Sequence, residues 1–465
     1  DRKPCSWEAA GHVQRKRGAA LQIMATSGDE VILQMSMPFA HKDRWTANLC
    51  DAMYCNNCIY NGKHMDSDAI QSKCTDLGLD VMSTKGKRFF HLQYIFNDID
   101  KLEDAVHFAI SGIFKNTQFT RVNFTQAKNG IISELNSLEQ QDSYIVKEKL
   151  IRTLFHNTSY DETVRFKSRS QSETKLSSVR SFYENNVLKN EHFYCTLACP
   201  KTLSTTRTHE IGKIIQGICK TALNVTKPEP LSQQWQPAII NTSFQQTVLP
   251  GYGSTQVMMG QTTDIKNYSR EGVALKMAVQ ALGGGMTGRL MWKLRGIDGR
   301  KNGVYGVYAQ MEEQEQAPTF VVVQATFTPS LAKHGIGELL EEVKKWSKLG
   351  ITKEELETSR KELLGSRVLA MDDFKNVSEG FHSHLLAGKN GYEQWNKEEE
   401  TLKSITYQEV VDVMKKISPD KWAICATSPM KIPNSFEESD DESEVSIITN
   451  KPNVEGFEDI TFINY

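Results

Sequence analysis

Nowhere in this 465-residue chain do apolar residues run on for the roughly 18 positions that a membrane-crossing helix needs. The longest apolar strand pattern, Phe320 to Val323, is far too short for that role. Charge of one sign is missing as well: 55 basic against 57 acidic residues leave a net charge of -2. That balance favours neither nucleic acid nor an anionic membrane surface as a partner. Cysteine is sparse and odd in number, nine in all, which points to free thiols rather than a disulfide scaffold. The chain opens on Asp1 without a signal-like apolar core, so a removed presequence and a fragment of a longer chain both stay open. Asn-x-Ser/Thr triplets, as at Asn123 and Asn376, arise by chance in so Asn- and Ser/Thr-rich a sequence. A mitochondrial or cytoplasmic location is favoured over secretion, and the compartment stays open.

What the chain does have is a distinctive stretch from Leu282 to Gln310, in which Gly283, Gly284 and Gly285 separate two helix-like patterns. Before them Val273, Ala274, Met277, Ala278, Ala281 and Leu282 recur at helical spacing. After them Leu290, Met291 and Leu294 start a second short helix, and a Gly-Val-Tyr-Gly-Val-Tyr strand follows. Glycine accepts positive φ and lets another backbone come close. A peptide-binding or phosphate-binding loop is one reading, and a helix C-cap with a tight corner is the other. The phosphate version is weak, because a Walker-type loop follows a strand and ends in Lys-Ser/Thr, and neither holds here.

The rest of the chain reads as a plan stated twice. Leu21, Ile23, Val31, Leu33 and Met35 alternate as strands. Helices follow over 43–54 and over 67–77, the latter capped by Ser67 or Asp68 and stopped at Gly78. Strands over 80–83 and 88–96 and a helix over 99–114 lead to a long amphipathic helix opened by Thr120. In the second half a strand over 256–260, the helix over 271–282, strands over 304–311 and 319–327 and a helix over 331–349 lead to another long helix, opened by Thr352. An internal duplication of α+β units is the economical account. The expected boundaries are a first domain over 1–226, a linker over 227–237, a second domain over 238–430 and a disordered acidic tail over 431–465.

With LGGGMTGRLMWKLR, GVYGVYAQ, TFVVVQATF and GITKEELETSRKELLGS in that order, the sequence resembles the inverted-zinc-motif metallopeptidases, which include pitrilysin, insulysin and the mitochondrial processing peptidase. The resemblance spans about residues 20 to 430 and implies two homologous α+β domains, each an antiparallel sheet with helices packed on one face. It also implies a zinc helix reading His-x-x-Glu-His, in which histidines four apart share a face and the Glu acts as general base. The matching helix here has Asn48 and Ala52 in the histidine positions and Asp51 in place of the base, with Glu134 about where a third ligand belongs. An amide, a methyl group and a carboxylate cannot hold catalytic zinc. No metal or other cofactor is therefore expected in this chain, and zinc is expected in a partner.

By the same resemblance Arg295 and Tyr305 reach across to substrate held at the partner's metal, a guanidinium on a carbonyl and a phenol toward an oxyanion. Gly283, Gly284 and Gly285 are then the substrate-binding loop. The Arg-to-Tyr spacing is three residues longer than the family pattern, so Arg300 and Tyr308 stand as alternatives. The plainer reading makes Arg295 a helix-end cation and Tyr305 a core strand residue.

Other clusters carry less. Cys50, Cys55, Cys58, His64 and Cys74 lie across two expected helices, which does not suit a zinc knuckle. His382 and His384 are two apart and share a face only on a strand, whereas their flanks look helical. The resulting expectation is a non-catalytic subunit that pairs with a homologous zinc-bearing subunit or half to cleave unfolded peptides or presequences in a clamshell chamber. The alternative is a core-type structural member without a peptidase role, as in the respiratory bc1 complex. Least favoured is an independently active peptidase with some other metal site.

Overall fold

The computed structural model describes Glu8–Ala9, Gln14–Lys16, most of 19–433 and Ile460–Asn464, the longest breaks being 161–173, 214–242, 296–302 and 314–318. The expected linker over 227–237, Arg300 and the acidic residues 434–459 fall outside the described residues.

The first sheet has seven strands. Five of them, β1 (Ala19–Thr26), β2 (Val31–Pro38), β3 (Leu79–Lys85), β4 (Phe89–Phe96) and β5 (Phe193–Pro200), run side by side in the order β1-β5-β2-β4-β3. Glu8–Ala9 and Gln14–Lys16 pair with β1. The second sheet contains β6 (Ser243–Val248), β7 (Thr255–Thr262), β8 (Val304–Glu313), β9 (Thr319–Phe327), β10 (Ala423–Ser428) and β11 (Ile460–Asn464) in the order β8-β9-β7-β10-β6-β11. Read from β1 and from β6, the two orders are the same. Each sheet is antiparallel except where its first long strand runs parallel to its last, β1 with β5 and β6 with β10. Shared order and a shared parallel pair are what duplication of one unit leaves behind. The strand Ile460–Asn464 departs from the expectation of a wholly disordered tail, and its β-branched and aromatic ITFIN sequence suits a strand where the acidic residues before it do not.

Helices cover the sheets as period-2 alternation requires. On one face of the second sheet, Val257, Met259, Val321, Val323 and Ala325 join Val273, Met277, Leu282, Ile336, Leu339 and Trp346 from the helices Arg270–Gly283 and Ala332–Leu349 in one core. Side chains on the other face, Met258, Phe320, Val322 and Cys425, meet Val146, Leu150, Ile151 and Leu154 of the helix Asp142–Leu154. Gly260 makes that approach possible, because a Cβ there would stand 2.8 Å from a Leu154 methyl carbon.

The compact units therefore do not follow the contiguous boundaries 1–226 and 238–430. One comprises Asp1–Glu134, Phe166–Ser232 and Ser366–Lys397; the other comprises Leu135–Arg165, Gln233–Gly365 and Glu398–Tyr465. Each half of the chain lends a helix to the other half's sheet. The apolar stripe on Asp142–Leu154 completes the second sheet, and Val377 and Phe381 of the helix Phe374–Leu386 pack with Met24 of the first. The long helices Arg121–Leu138 and Lys353–Ala370 carry the chain from one unit to the other. Thr120 and Thr352 cap them as expected, accepting from Asn123 N at 3.2 Å and Glu355 N at 3.1 Å. The helix Ser67–Leu77 is capped by Asp66 rather than by Ser67 or Asp68, and it ends at Gly78 in the left-handed region, φ 61°. No helix among the described residues is long and apolar enough to cross a membrane.

Candidate functional site

The helix Arg44–Met53 buries Trp45, Leu49, Cys50 and Met53, and this apolar stripe fixes which residues it turns outward. Asn48 is half-buried, Ala52 is exposed, and Asp51 accepts a 2.6 Å hydrogen bond from Ser83 Oγ on β3. Burial raises the Asp51 carboxyl, while the Ser83 bond and the charges of Lys85 and His91 work in the opposite direction. Glu134 is exposed on its own helix. Among the described residues no three His, Cys, Asp or Glu side chains converge as a metal site. The donors at Asn48, Asp51, Ala52 and Glu134 do not fit zinc: one position offers a methyl, one an amide, and the best carboxylate is already bonded.

The cysteines near this helix behave as small core residues. The seven described cysteines are all free, and Cys50, Cys58 and Cys74 are buried. Burial pushes the thiols of Cys58 and Cys74 up to about 11, far from thiolate chemistry at neutral pH.

In the second unit Ser269 caps the helix Arg270–Gly283 by accepting from Gly272 N at 2.9 Å, and the helix ends in the glycine run. None of Gly283, Gly284 and Gly285 takes positive φ, contrary to the expectation. Close packing explains two of them instead. A Cβ on Gly283 would lie 2.8 Å from Ala309 N of β8, and one on Gly284 would lie 2.1 Å from Gln280 Oε1. Gly285 has ordinary room, with nothing nearer than 3.7 Å.

The corner is bolted to the helix Lys353–Ala370 at two places. Arg289 grips Glu355 through Nε and through a second nitrogen at 2.6 Å, and donates to Gly350 O at 3.0 Å. Glu362 accepts from Gln280 Nε2 at 2.9 Å and from Thr287 Oγ1 at 2.5 Å. Glu355 and Glu362 are two helical turns apart and so share a face.

Around this rigid frame large side chains stand in the open: Met286 is 69% exposed, Trp292 55%, Tyr305 63% and Tyr308 44%. Tyr305 is not a core residue. The pairing of β8 with β9 skips it, passing from Val304–Phe327 to Gly306–Thr326, so it occupies a β-bulge, a device that re-aims a side chain. The turn Met291–Arg295 packs against β8, and within it Arg295 keeps a buried Nε that has no hydrogen-bond partner among the described residues. The structure thus gathers Gly283, Gly284, Gly285, Arg295, Tyr305 and Tyr308 on neighbouring elements of one unit, at a strand that ends its sheet.

Sequence reasoning weighed His382 and set it aside. It lies buried on the helix Phe374–Leu386, where Ser36 Oγ meets its Nε2 at 2.7 Å and Thr196 Oγ1 meets its Nδ1 at 2.8 Å. The line continues from Ser36 Oγ to His91 Nδ1 at 2.7 Å, and from Thr196 Oγ1 back to Gln22 Nε2 at 2.9 Å. Burial, with the nearby His91 charge, lowers the His382 ring to about 3. The flanks of His382 do form a helix, and its partners come from strands nearly two hundred residues and more away, so no local pattern marks it.

Residues 208–363 match the family model described as the peptidase M16 inactive domain. By structure the chain is similar to a peptidase M16 inactive domain from Pseudomonas fluorescens, at TM-score 0.73 and 18% identity over 91% of this chain and 99% of that one. A protease from Helicobacter pylori superposes at TM-score 0.71 and 12% identity, over 91% of this chain and all (100%) of that one. The periplasmic protease PqqL from Escherichia coli gives TM-score 0.68 and 12% identity; 92% of this chain covers only 47% of PqqL. No curated protein sequence matches the chain.

Proposed function

We propose, from the match of residues 208–363 to the peptidase M16 inactive domain and from donors at Asn48, Asp51 and Ala52 that do not fit zinc, that this chain is the non-catalytic member of a two-part zinc peptidase. A homologous subunit or half with an intact His-x-x-Glu-His motif would hold the metal and the general base. This chain would contribute Arg295, Tyr305 and the corner at Gly283, Gly284 and Gly285. Peptides or presequences in extended form would lie along a strand edge, where backbone pairing gives affinity without demanding sequence. A phenol held in the open by a bulge is suited to meet an oxyanion that forms on a bound peptide, and a guanidinium is suited to a carbonyl.

The observation that carries this reading is Tyr305: exposed, lifted by a β-bulge and set beside a corner that Glu355 and Glu362 hold rigid. A core-type structural protein has no need of that combination. The test is reconstitution with a zinc-bearing partner that co-purifies from source. The pair should cleave an unfolded peptide that neither protein cleaves alone, and Tyr305→Phe should slow it about 100- to 1,000-fold, as loss of one oxyanion donor does. Full activity in both Tyr305→Phe and Arg295→Ala would hand the question to the structural reading.

A further inference from the structure

The edge strand β3 of the first sheet borders a cavity of about 460 Å³. That volume falls within the roughly 300–1,000 Å³ of small-molecule sites. Its walls come from the segment after the helix Arg44–Met53, the helix Ser67–Leu77, strands β3 and β4, and the first turn of the helix Phe374–Leu386. All of them belong to one compact unit.

Two opposite charges line this cavity, and no ion pair joins them among the described residues. Lys375 is half-buried, and its ammonium meets only the thioether of Met82 there, 3.7 Å from Sδ. A thioether is a weak acceptor and leaves the cation nearly unanswered. Across the wall Asp80 accepts from Asn97 Nδ2 at 2.9 Å through Oδ2, which leaves Oδ1 for another donor. Apolar surface comes from Ile70, Leu79, Val81 and Ile95, and Ser67 and Gln71 add neutral polar groups. Cys55, at φ 62°, and Cys74 supply thiols. Burial pushes both thiols up, Cys74 to about 11, so they stay neutral at pH 7.5. The Asp80 charge adds to the rise at Cys74, so its field extends into the cavity.

This lining selects its ligand by charge. One lysine against one aspartate does not favour a polyanion such as a nucleotide. One carboxylate with two protonated thiols does not make a metal site, and no such group converges among the described residues. The interior of a peptide chain has no backbone charge and would leave both ions unanswered. A dipolar molecule answers both at once, each end through a charge-assisted hydrogen bond.

We propose that this cavity binds a free apolar amino acid as its zwitterion, with the carboxylate on Lys375, the ammonium on Asp80 Oδ1 and the side chain against Ile70, Leu79 and Val81. None of these residues is assigned to the peptidase pair, so the failure of either reading leaves the other standing.

Isothermal titration of the full chain at pH 7.5 with leucine, methionine and phenylalanine in turn is the test. At least one should bind, one molecule per chain. The N-acetyl and amide forms of that amino acid each lack one charge, and each should bind about tenfold or more weakly, the scale of one hydrogen bond to a charged group. Asp80→Asn keeps an acceptor for Asn97 and should weaken the free amino acid about 10- to 100-fold while sparing its N-acetyl form. Lys375→Met should weaken the free amino acid by a similar factor and spare the amide. No saturable binding of any of the three up to about 10 mM overturns the proposal. Equal affinity for free and blocked forms in the wild type overturns it without recourse to a variant, and so does unchanged binding in either variant.

Discussion

Replacing Arg289 with methionine removes the bolt between the glycine corner and the helix Lys353–Ala370 while keeping the length of the side chain. The guanidinium is 18% exposed and its partner Glu355 26%, and Glu342, 8% exposed, lies 3.8 Å from it. Removing one partner of a fully buried ion pair costs roughly 3–5 kcal/mol. Water reaches this pair in part, and Glu355 keeps its bond from Thr352 N at 2.6 Å, so a cost of about 2–3 kcal/mol is expected. Glu355→Gln should show a similar loss, and the double variant should lose less than the sum, with a coupling of about 1.5–2 kcal/mol. Urea unfolding of the four proteins at pH 7.5 measures it. The sign with pH is also fixed. Burial alone would raise Glu355, but the bonds from Arg289 and Thr352 hold it below the usual glutamate value. The stabilisation is therefore present above the unfolded pKa of about 4.3 and fades as pH falls below it. A coupling under about 0.5 kcal/mol would place the pair among ordinary surface ion pairs and refute the idea of a rigid corner.

Two further outcomes follow from packing and burial. With its folded pKa lowered to about 3, His382 should make stability fall as pH drops from about 6.5 toward 3, by up to about 1.4 kcal/mol per pH unit, and His382→Gln should flatten that slope in urea titrations. Gly260→Val should cost about 1–3 kcal/mol by crowding Leu150 and Leu154, and a Leu154→Ala background should remove most of that cost; an undiminished cost there would mean the crowding lies elsewhere.

The sequence shows this molecule unevenly. Helices with a long apolar stripe and a polar cap, such as Arg270–Gly283 behind Ser269, are legible because both signals are local. The strands β5 and β10 are not, since each pairs in parallel with a strand far earlier in the chain. Exchange of the helices Asp142–Leu154 and Phe374–Leu386 is hidden for the same reason: an apolar face declares that it will be covered, never by which sheet. Resemblance pointed to Asn48, Asp51 and Ala52 and to Arg295 and Tyr305, yet it could not show the bulge at Tyr305 or the packing need at Gly283. The polar line through His382 escapes any linear reading, because its five members come from four separate strands and a helix.

Helix exchange has a consequence for how the chain is made. A ribosome delivers residues in order, N-terminal parts first. All five long strands of the first sheet are out once Pro200 has emerged, but the helix that closes over Gln22, Ser36 and Thr196 arrives only with residues 374–386. During that interval the nascent first sheet has an open face with unanswered polar groups. The helix Asp142–Leu154, meanwhile, waits for a sheet whose strand β10 is not yet synthesised. Neither unit can finish before the other is nearly complete, so a nascent chain truncated near residue 226 should leave one face of its first sheet, the one bearing Gln22, Ser36 and Thr196, uncovered. Such a chain is a natural client for a chaperone that shields half-covered sheets.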